Sequence, residues 1–555
     1  MISRITFLIF TCLLWFAGNT QNLQSETNRV VEWSYYSTNE YVNPFREVEL
    51  VAEITSENGK VQLLPAFWAG GNKWSFRYSN PVTGTFRFKT ICSNSNDHGL
   101  HDQKGAIEIV PYSGKNDLLK RGTIKVTDDN RHLEHLDGTP FFWLADSWWH
   151  GMTTRFKWPE DFAELTNDRK EKGFSVIQFA IAFPCDIEPF DPRGMNKAGN
   201  PWDENWNSIR PEYFDYTDRR VEHLVEEGLL PNIVGAWGYY IKFAGAENLK
   251  KHWQYLIARY GAYPVTYTLC GESTLAWYHD LGTNWEEQKK IFRKEWSEVA
   301  AHIQEVDPYD RLLTVHPGPN SGDFLPINEM QHIDFVMLQS GHDGYFTFQR
   351  ASDAVDKAQE MYPEKPIMHG EVCFEGMGGK SLADVQRFLF WNNIMKGTAG
   401  FSYGVEGIWQ FNTEEELFGV SPGGNVWGNV PWETAYQYDG SKHVGIGKKI
   451  LENYEWWKLK PAQERVVNPA TEAARTAWCA EIPGEVVMAY MFRKPTGWNN
   501  YQIGGFAPDQ NYDAVFWDPL TGENYDDWSF ETDENGIIHI NDAPIKQDWL
   551  VVINL

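Results

Sequence analysis

The rhythm of hydrophobic and polar positions changes twice along the chain. From Val30 to about Tyr112, short segments such as EVELVAEI, WSFRYS and TFRFKTI alternate apolar with polar residues, and turn-forming GGN, NPVTG and SNSNDHG separate them. Period-two alternation broken by frequent turns predicts a β-sandwich. From about Gly122 to Lys460, apolar strand-like runs alternate with longer helical stretches, which predicts parallel βα units. One helix is expected from Trp158 to Gly173 and another through RRVEHLVEE to Gly228, each stopped by a glycine suited to a helix C-terminus. From Pro461 to Leu555 short strands return, as in EVVMAYMF, DAVFWDP and WLVVINL, and predict a second β-sandwich.

Strand counting decides the central architecture. FFWLAD to Asp146, FSVIQFAIAF to Phe183, LLPNIVGAW to Trp237, PVTYTLCGE to Glu272, RLLTVHP to Pro317, IDFVMLQSG to Gly341, PIMHGE to Glu371 and AGFSYG to Gly404 make eight strands. Eight strands with intervening helices predict a closed α/β structure, the (β/α)8 or TIM barrel, whose active site lies at the C-terminal strand ends. The competing open doubly wound sheet calls for a Gly-rich phosphate turn after its first strand, where LADSWWHG stands instead. The expected organisation is a signal peptide over residues 1–20, an N-terminal β-sandwich over 21–115, the barrel over 116–460 and a C-terminal β-sandwich over 461–555.

The export expectation comes from MISRITFLIFTCLLWFAGNTQ: one arginine, an apolar run from Ile5 to Phe16, then small and polar residues. That run is too short to span a bilayer. Cleavage is expected near Thr20, and Phe10 and Thr11 before Cys12 do not favour lipid attachment. The five remaining cysteines are too few and odd in number for a disulfide framework.

Length and composition narrow the partners. At 555 residues the chain exceeds one ordinary hydrophobic core. A formal charge of -27 argues against nucleic acid and anionic membrane surfaces. An aromatic content of 15% suits a sugar-binding cleft as well as a large core. No cofactor is called for, and the oligomeric state is left open.

The chemistry rests on two Gly-Glu pairs. Glu272 ends the fourth strand and Glu371 the seventh, so a barrel aims both into one mouth. Two facing carboxylates suit glycosidic bond cleavage: one protonates the leaving oxygen while the other attacks the anomeric carbon or activates water. The glycines before them are expected to give a sugar room to approach. Trp148, Trp149, Trp237 and Trp409 lie near strand ends and are candidates for stacking on a sugar face, with core packing as the alternative for each. Gln178 lies mid-strand and is expected to point into the barrel. The insert that follows the second strand, beginning PCDIEPFDPRG, is expected to form one wall of the cleft.

Two other function classes compete. His150, His316, His342 and His369 near the mouth raise a metal-dependent hydrolase, but the His-x-His pair common on the first strand of such barrels is missing from WLADSWWHG. A non-catalytic carbohydrate-binding protein suits the two sandwiches, yet binding alone does not require a carboxylate pair. Cys185, Cys270 and Cys373 also end strands; small thiols packed behind the carboxylates are the expected reading.

The motifs GTPFFWLADSWW, YPVTYTLCGE, LLTVHP, DFVMLQSGH, KPIMHGEVCFE and GFSYGVEGIWQ together resemble the apiosidase-like glycoside hydrolases, a retaining barrel family of clan A type. The resemblance covers nearly the whole mature chain, and in many members one β-sandwich precedes the barrel and a small one follows it. It implies a secreted glycoside hydrolase acting on a plant or algal glycan, with Glu272 as acid/base and Glu371 as nucleophile; some relatives carry Asp at the first of these positions. It also implies Asp146, His316, Gln339 and His342 near the sugar. His342 and Tyr403 are the expected hydrogen-bond donors that keep Glu371 ionised.

Overall fold

The computed structural model describes residues 21–275, 284–318, 324–492, 501–541 and 543–555. The expected signal segment, residues 1–20, lies outside the described residues.

Eight parallel strands form the centre: β1 (Trp143–Ser147), β2 (Val176–Ala180), β3 (Leu230–Val234), β4 (Thr266–Thr268), β5 (Leu313–Thr314), β6 (Val336–Gln339), β7 (Ile367–Glu371) and β8 (Gly400–Tyr403). Ladders join every neighbouring pair except β5 and β6. That seam is stitched singly: the Asp334 amide donates to the Leu313 carbonyl at 2.8 Å, and Thr314 Oγ1 donates to the Phe335 carbonyl at 2.7 Å. The sheet thus closes into a TIM-like barrel, as the strand count predicts.

Among the described residues seven long helices surround it: α1 (Glu160–Glu171), α2 (Pro211–Glu226), α3 (Ala246–Tyr260), α4 (Trp285–Val306), α5 (Thr347–Met361), α6 (Ala383–Met395) and α7 (Asp439–Leu451). Among the described residues, the β5–β6 connection carries only the single turn Met330–His332. Among the described residues the alternation is therefore one long helix short of the ideal. Helices α1 and α2 end where the sequence predicts, before Gly173 and Gly228, whose φ values of 91° and 82° suit glycine alone without strain.

A small antiparallel sheet over 124–141 covers the barrel's N-terminal end; Ile124, Leu133 and Phe141 pack there with Trp143, Phe335, Met337 and Met368. With that end plugged, the opposite mouth is the open face. The N-terminal region is a five-stranded and a three-stranded sheet packed around Trp33, Phe76 and Phe88. It docks through buried Arg77, which shares Asp218 of α2 with Arg259 of α3. Burial opposes ionisation of Asp218, but the two guanidinium groups outweigh it and hold the carboxyl well below the usual range. The C-terminal region is a six-stranded and a two-stranded sheet, anchored by Arg387 of α6 on Asp548 at 2.8 Å. All five described cysteines are free and buried. No described helix is long and apolar enough to cross a membrane.

Candidate active site

The mouth of the barrel narrows into a pocket whose walls include Trp149, Trp237, Trp409 and Trp427 and whose floor carries Glu272, Glu371 and Gln339. Local backbone features aim the two glutamates. Glu272 has φ 48°, a left-handed conformation uncommon outside glycine, and it turns the chain out of β4 at the rim. On β7 the register slips: Leu338 pairs with His369, but Gln339 pairs with Glu371, which leaves Gly370 as an extra residue. Such a bulge re-aims the side chain that follows it. Here it sets Glu371 directly beside Gln339.

Gln339 then spans the pair. Its Nε2 donates to Glu371 Oε1 at 2.7 Å and to Glu272 Oε1 at 3.1 Å. The two oxygens can stand no farther apart than the sum of those distances, 5.8 Å. Trp237 Nε1 donates to the other oxygen of Glu272 at 2.9 Å. His342 Nε2 lies 3.1 Å from Glu371 Oε1, while its Nδ1 accepts from the Phe374 amide, so the ring proton that faces Glu371 is on Nε2. His316 approaches Glu371 Oε2 at 3.5 Å and bonds the Pro317 carbonyl through Nδ1 at 2.9 Å.

The environments split the two carboxyls. Burial, and then the neighbouring Glu371 charge, push Glu272 above the ordinary glutamate range, although Trp237, His316 and Gln339 pull the other way. Burial would also raise Glu371, but the two imidazoles outweigh it and hold this carboxyl far below the ordinary range. For His316, burial favours the neutral ring, and the Glu371 carboxylate overcomes that and raises it. The two environments push the neighbouring carboxyls apart, Glu272 toward holding its proton and Glu371 toward losing it, and such a split suits acid/base division of labour.

The structure sorts the sequence-predicted site residues. Trp237, Gln339, His342 and Trp409 line the pocket with the glutamates, as does Trp149; His316 lies just behind Glu371. Four others do not reach it. Asp146 is fully buried and accepts from Arg169 at 2.6 Å and Trp148 Nε1 at 2.8 Å, because the buried guanidinium of α1 requires a carboxylate partner. Trp148 packs edge-on against Phe156, Phe162 and Phe411. Tyr403 donates to Glu375 at 2.5 Å and not to Glu371. Gln178 does point into the barrel, but its amide donates to Ser147 and to the Gly370 carbonyl at 2.8 Å, which pins the bulge beneath Glu371.

The glycines also have a different purpose from the expected one. A Cβ on Gly271 would fall 2.3 Å from Trp237 Cε3, and one on Gly370 would fall 2.1 Å from Met337 Cγ. They make room for protein side chains rather than for sugar. The four imidazoles considered as metal ligands are committed: His316 and His342 to Glu371, His150 to the Cys185 carbonyl, and His369 to Ser340 and Asn393. Among the described residues no three His, Cys, Asp or Glu side chains gather as a ligand set.

Sequence reasoning missed Asp186, Phe374, Met377 and Trp427 in the wall. Asp186 is the third residue of the insert after β2 that the sequence expects as a cleft wall, so that expectation could have flagged it. Trp427 and Met377 lie on loops that nothing local connects. Glu406 joins them: its buried carboxylate sits among the backbone N–H groups of Gly378, Asn429 and Val430.

A closed barrel with a close pair of carboxyls, one just after β4 and one at the end of β7, is the arrangement of a glycoside hydrolase. The chain belongs to the apiosidase-like catalytic domain family, whose model matches residues 127–458; residues 24–93 match a domain of unknown function, DUF5060. Among solved structures, one described as a glycoside hydrolase aligns over 80% of this chain and 98% of its own at 19% identity and TM-score 0.65. A glycoside hydrolase family 5 structure from Bacteroides vulgatus aligns over 78% and 93% at 20% identity and TM-score 0.64. A further Bacteroides vulgatus structure spans 96% of this chain and 100% of its own at 17% identity and TM-score 0.67. At these identities the likeness is one of fold. No curated protein matches the chain.

Proposed function

We propose that the chain is an exported retaining glycoside hydrolase that cleaves a plant or algal polysaccharide or oligosaccharide, with Glu371 as nucleophile and Glu272 as acid/base. The observation that carries the retaining reading is the single amide of Gln339 shared by both carboxyls. Because the two N–H bonds of one amide nitrogen diverge by about 120°, donors of this length put the accepting oxygens about 5 Å apart. Retaining pairs stand about 5 to 5.5 Å apart, whereas inverting pairs need roughly 6.5 to 9.5 Å to admit a water. The 5.8 Å ceiling lies on the retaining side.

In the first step Glu371 attacks the anomeric carbon as Glu272 gives its proton to the departing glycosidic oxygen, leaving a covalent glycosyl-enzyme and an ionised Glu272. Consuming the Glu371 charge removes one of the causes that keeps Glu272 protonated, so Glu272 is then suited to take a proton from the attacking water. Hydrolysis restores both groups. Export is supported by the N-terminal apolar run and the plant or algal substrate by the family resemblance and the aromatic pocket walls.

The test is product stereochemistry by NMR together with two variants. Glu371→Ala should abolish turnover, and azide should restore glycosyl transfer with inverted configuration. Glu272→Ala should hurt most on substrates with poor leaving groups. An inverted wild-type product, or full activity in either variant, would refute the assignment. Reducing-sugar release from a panel of plant and algal polysaccharides tests the substrate source, and intact mass of the protein from its native host tests removal of the leader.

A further inference from the structure

Gln339 ends β6, is 2% exposed and offers both carboxyls a donor from one nitrogen: Nε2 lies 2.7 Å from Glu371 Oε1 and 3.1 Å from Glu272 Oε1. The amide is not free to turn round, because its oxygen would then face an ionised carboxylate. The shorter contact falls on the carboxyl that its surroundings drive toward ionisation, and the longer on the one driven toward its proton. N–H bonds to an ionised acceptor are the shorter and stronger kind.

In the proposed reaction the pair carries one negative charge throughout, and that charge moves. As a Glu371 oxygen bonds the anomeric carbon, the glycosidic C–O bond breaks and its oxygen keeps the electron pair and takes the Glu272 proton, so the charge passes to Glu272. In the second half the water oxygen bonds the anomeric carbon, a water proton goes to Glu272 and the ester electrons return to Glu371. A donor fixed on one carboxyl favours one half of this cycle and opposes the other. His316 and His342 bias the charge toward Glu371, and Trp237 donates to Glu272. Gln339 meets both.

We propose that Gln339 is a positioning residue for both halves of the reaction: its amide keeps a donor on each glutamate and bonds more strongly to whichever is ionised, so that the charge can pass from Glu371 to Glu272 and back. The assignment rests on those two glutamates being the reacting pair. Other titratable groups around them are Cys185 and Asp186 after β2, His316 after β5 and His342 after β6. The test leaves these unchanged, so a shift reports the amide.

The full chain, with glutamate labelled by 13C at the side-chain carboxyl, is titrated by NMR, and the Glu272 signal is assigned by its loss in Glu272→Gln. Gln339→Met keeps the side-chain length, removes the donor, and should move the Glu272 titration upward by about 1 pH unit. In a Glu371→Gln background Glu272 carries the charge alone, as in the glycosyl-enzyme, and the same substitution should move it further. No shift in either background, or a shift no larger in the second, would overturn the proposal. If melting shows that Gln339→Met unfolds, the wild type and Glu371→Gln decide: the Gln339 side-chain amide proton should move downfield as Glu272 ionises, and an unmoved proton would overturn the proposal equally. On the polysaccharide from which the wild type releases most reducing sugar, Gln339→Met should lower kcat/KM roughly 10- to 100-fold. It should largely spare the 2,4-dinitrophenyl glycoside of the sugar at the new reducing end, whose leaving group needs no proton from Glu272. Equal losses on both substrates would reduce Gln339 to a spacer. The titrations need no turnover, so they stand apart from the carboxylate-pair reading, which product release by Glu371→Ala would sink.

Discussion

Replacing Gly271 by alanine tests the geometry that holds Glu272, the proposed proton donor. The added Cβ would lie 2.3, 2.5 and 2.6 Å from three atoms of the Trp237 indole. Carbon atoms in ordinary contact stand about 3.5 to 4 Å apart, so the ring must withdraw by more than about 1 Å. It has little space to do so, being 2% exposed and packed edge-on against Trp149 with ring centres 5.2 Å apart. The 2.9 Å bond from its Nε1 to Glu272 would stretch past useful length. Overpacking of this kind costs about 1 to 3 kcal/mol of stability, and a misplacement of about 1 Å at a reacting group costs roughly 100-fold in rate. Steady-state kcat/KM on the glycan that the wild type degrades, with thermal melting alongside, reads both effects. In a Trp237→Phe background the smaller ring leaves room, and the alanine should then cost far less. Equal cost in the two backgrounds, or an unaffected Gly271→Ala enzyme, would show that the glycine serves something other than the indole.

Other outcomes follow from the same geometry. The proposed mechanism requires Glu371 ionised and Glu272 protonated. With the first held low and the second pushed up, the acid limb of kcat/KM should fall below the ordinary glutamate range and the alkaline limb above it. His316→Gln removes a positive partner, makes the Glu371 anion less favourable and so should move the acid limb upward; a limb that stays put would contradict the role given to His316. Asp146→Ala takes from the buried Arg169 guanidinium its fully buried carboxylate partner, leaving only the part-exposed Asp168, and should cost about 3 to 5 kcal/mol in denaturant unfolding. Unchanged stability with a raised KM would return Asp146 to the sugar. Glu406→Ala unties the loops that carry Met377 and Trp427 and should raise KM roughly 5- to 30-fold while kcat holds. A loss confined to kcat would rule out that positioning role.

By itself the sequence determined the order of elements and the meeting of the two glutamates. Strand and helix rhythms depend on neighbours two to four residues away, so eight strands are visible as apolar runs, and parallel closure then brings every C-terminal strand end to one mouth. Glu272 and Glu371 meet for that reason, although 99 positions separate them. Which strand-end side chains share the pocket could not be read the same way. Asp146 and Tyr403 also end strands, but Arg169 from α1 and Glu375 from the loop after β7 draw them away from it. The Gly370 bulge arises from the β6–β7 register and is fixed by Gln178 on β2, a contact 192 residues away in sequence. Asp186, Met377 and Trp427 reach the wall on loops whose course depends on distant anchors such as Tyr239 and Glu406. The period of a strand is a local property, whereas the direction of a buried polar side chain depends on which partner satisfies it, and only the tertiary structure supplies that partner.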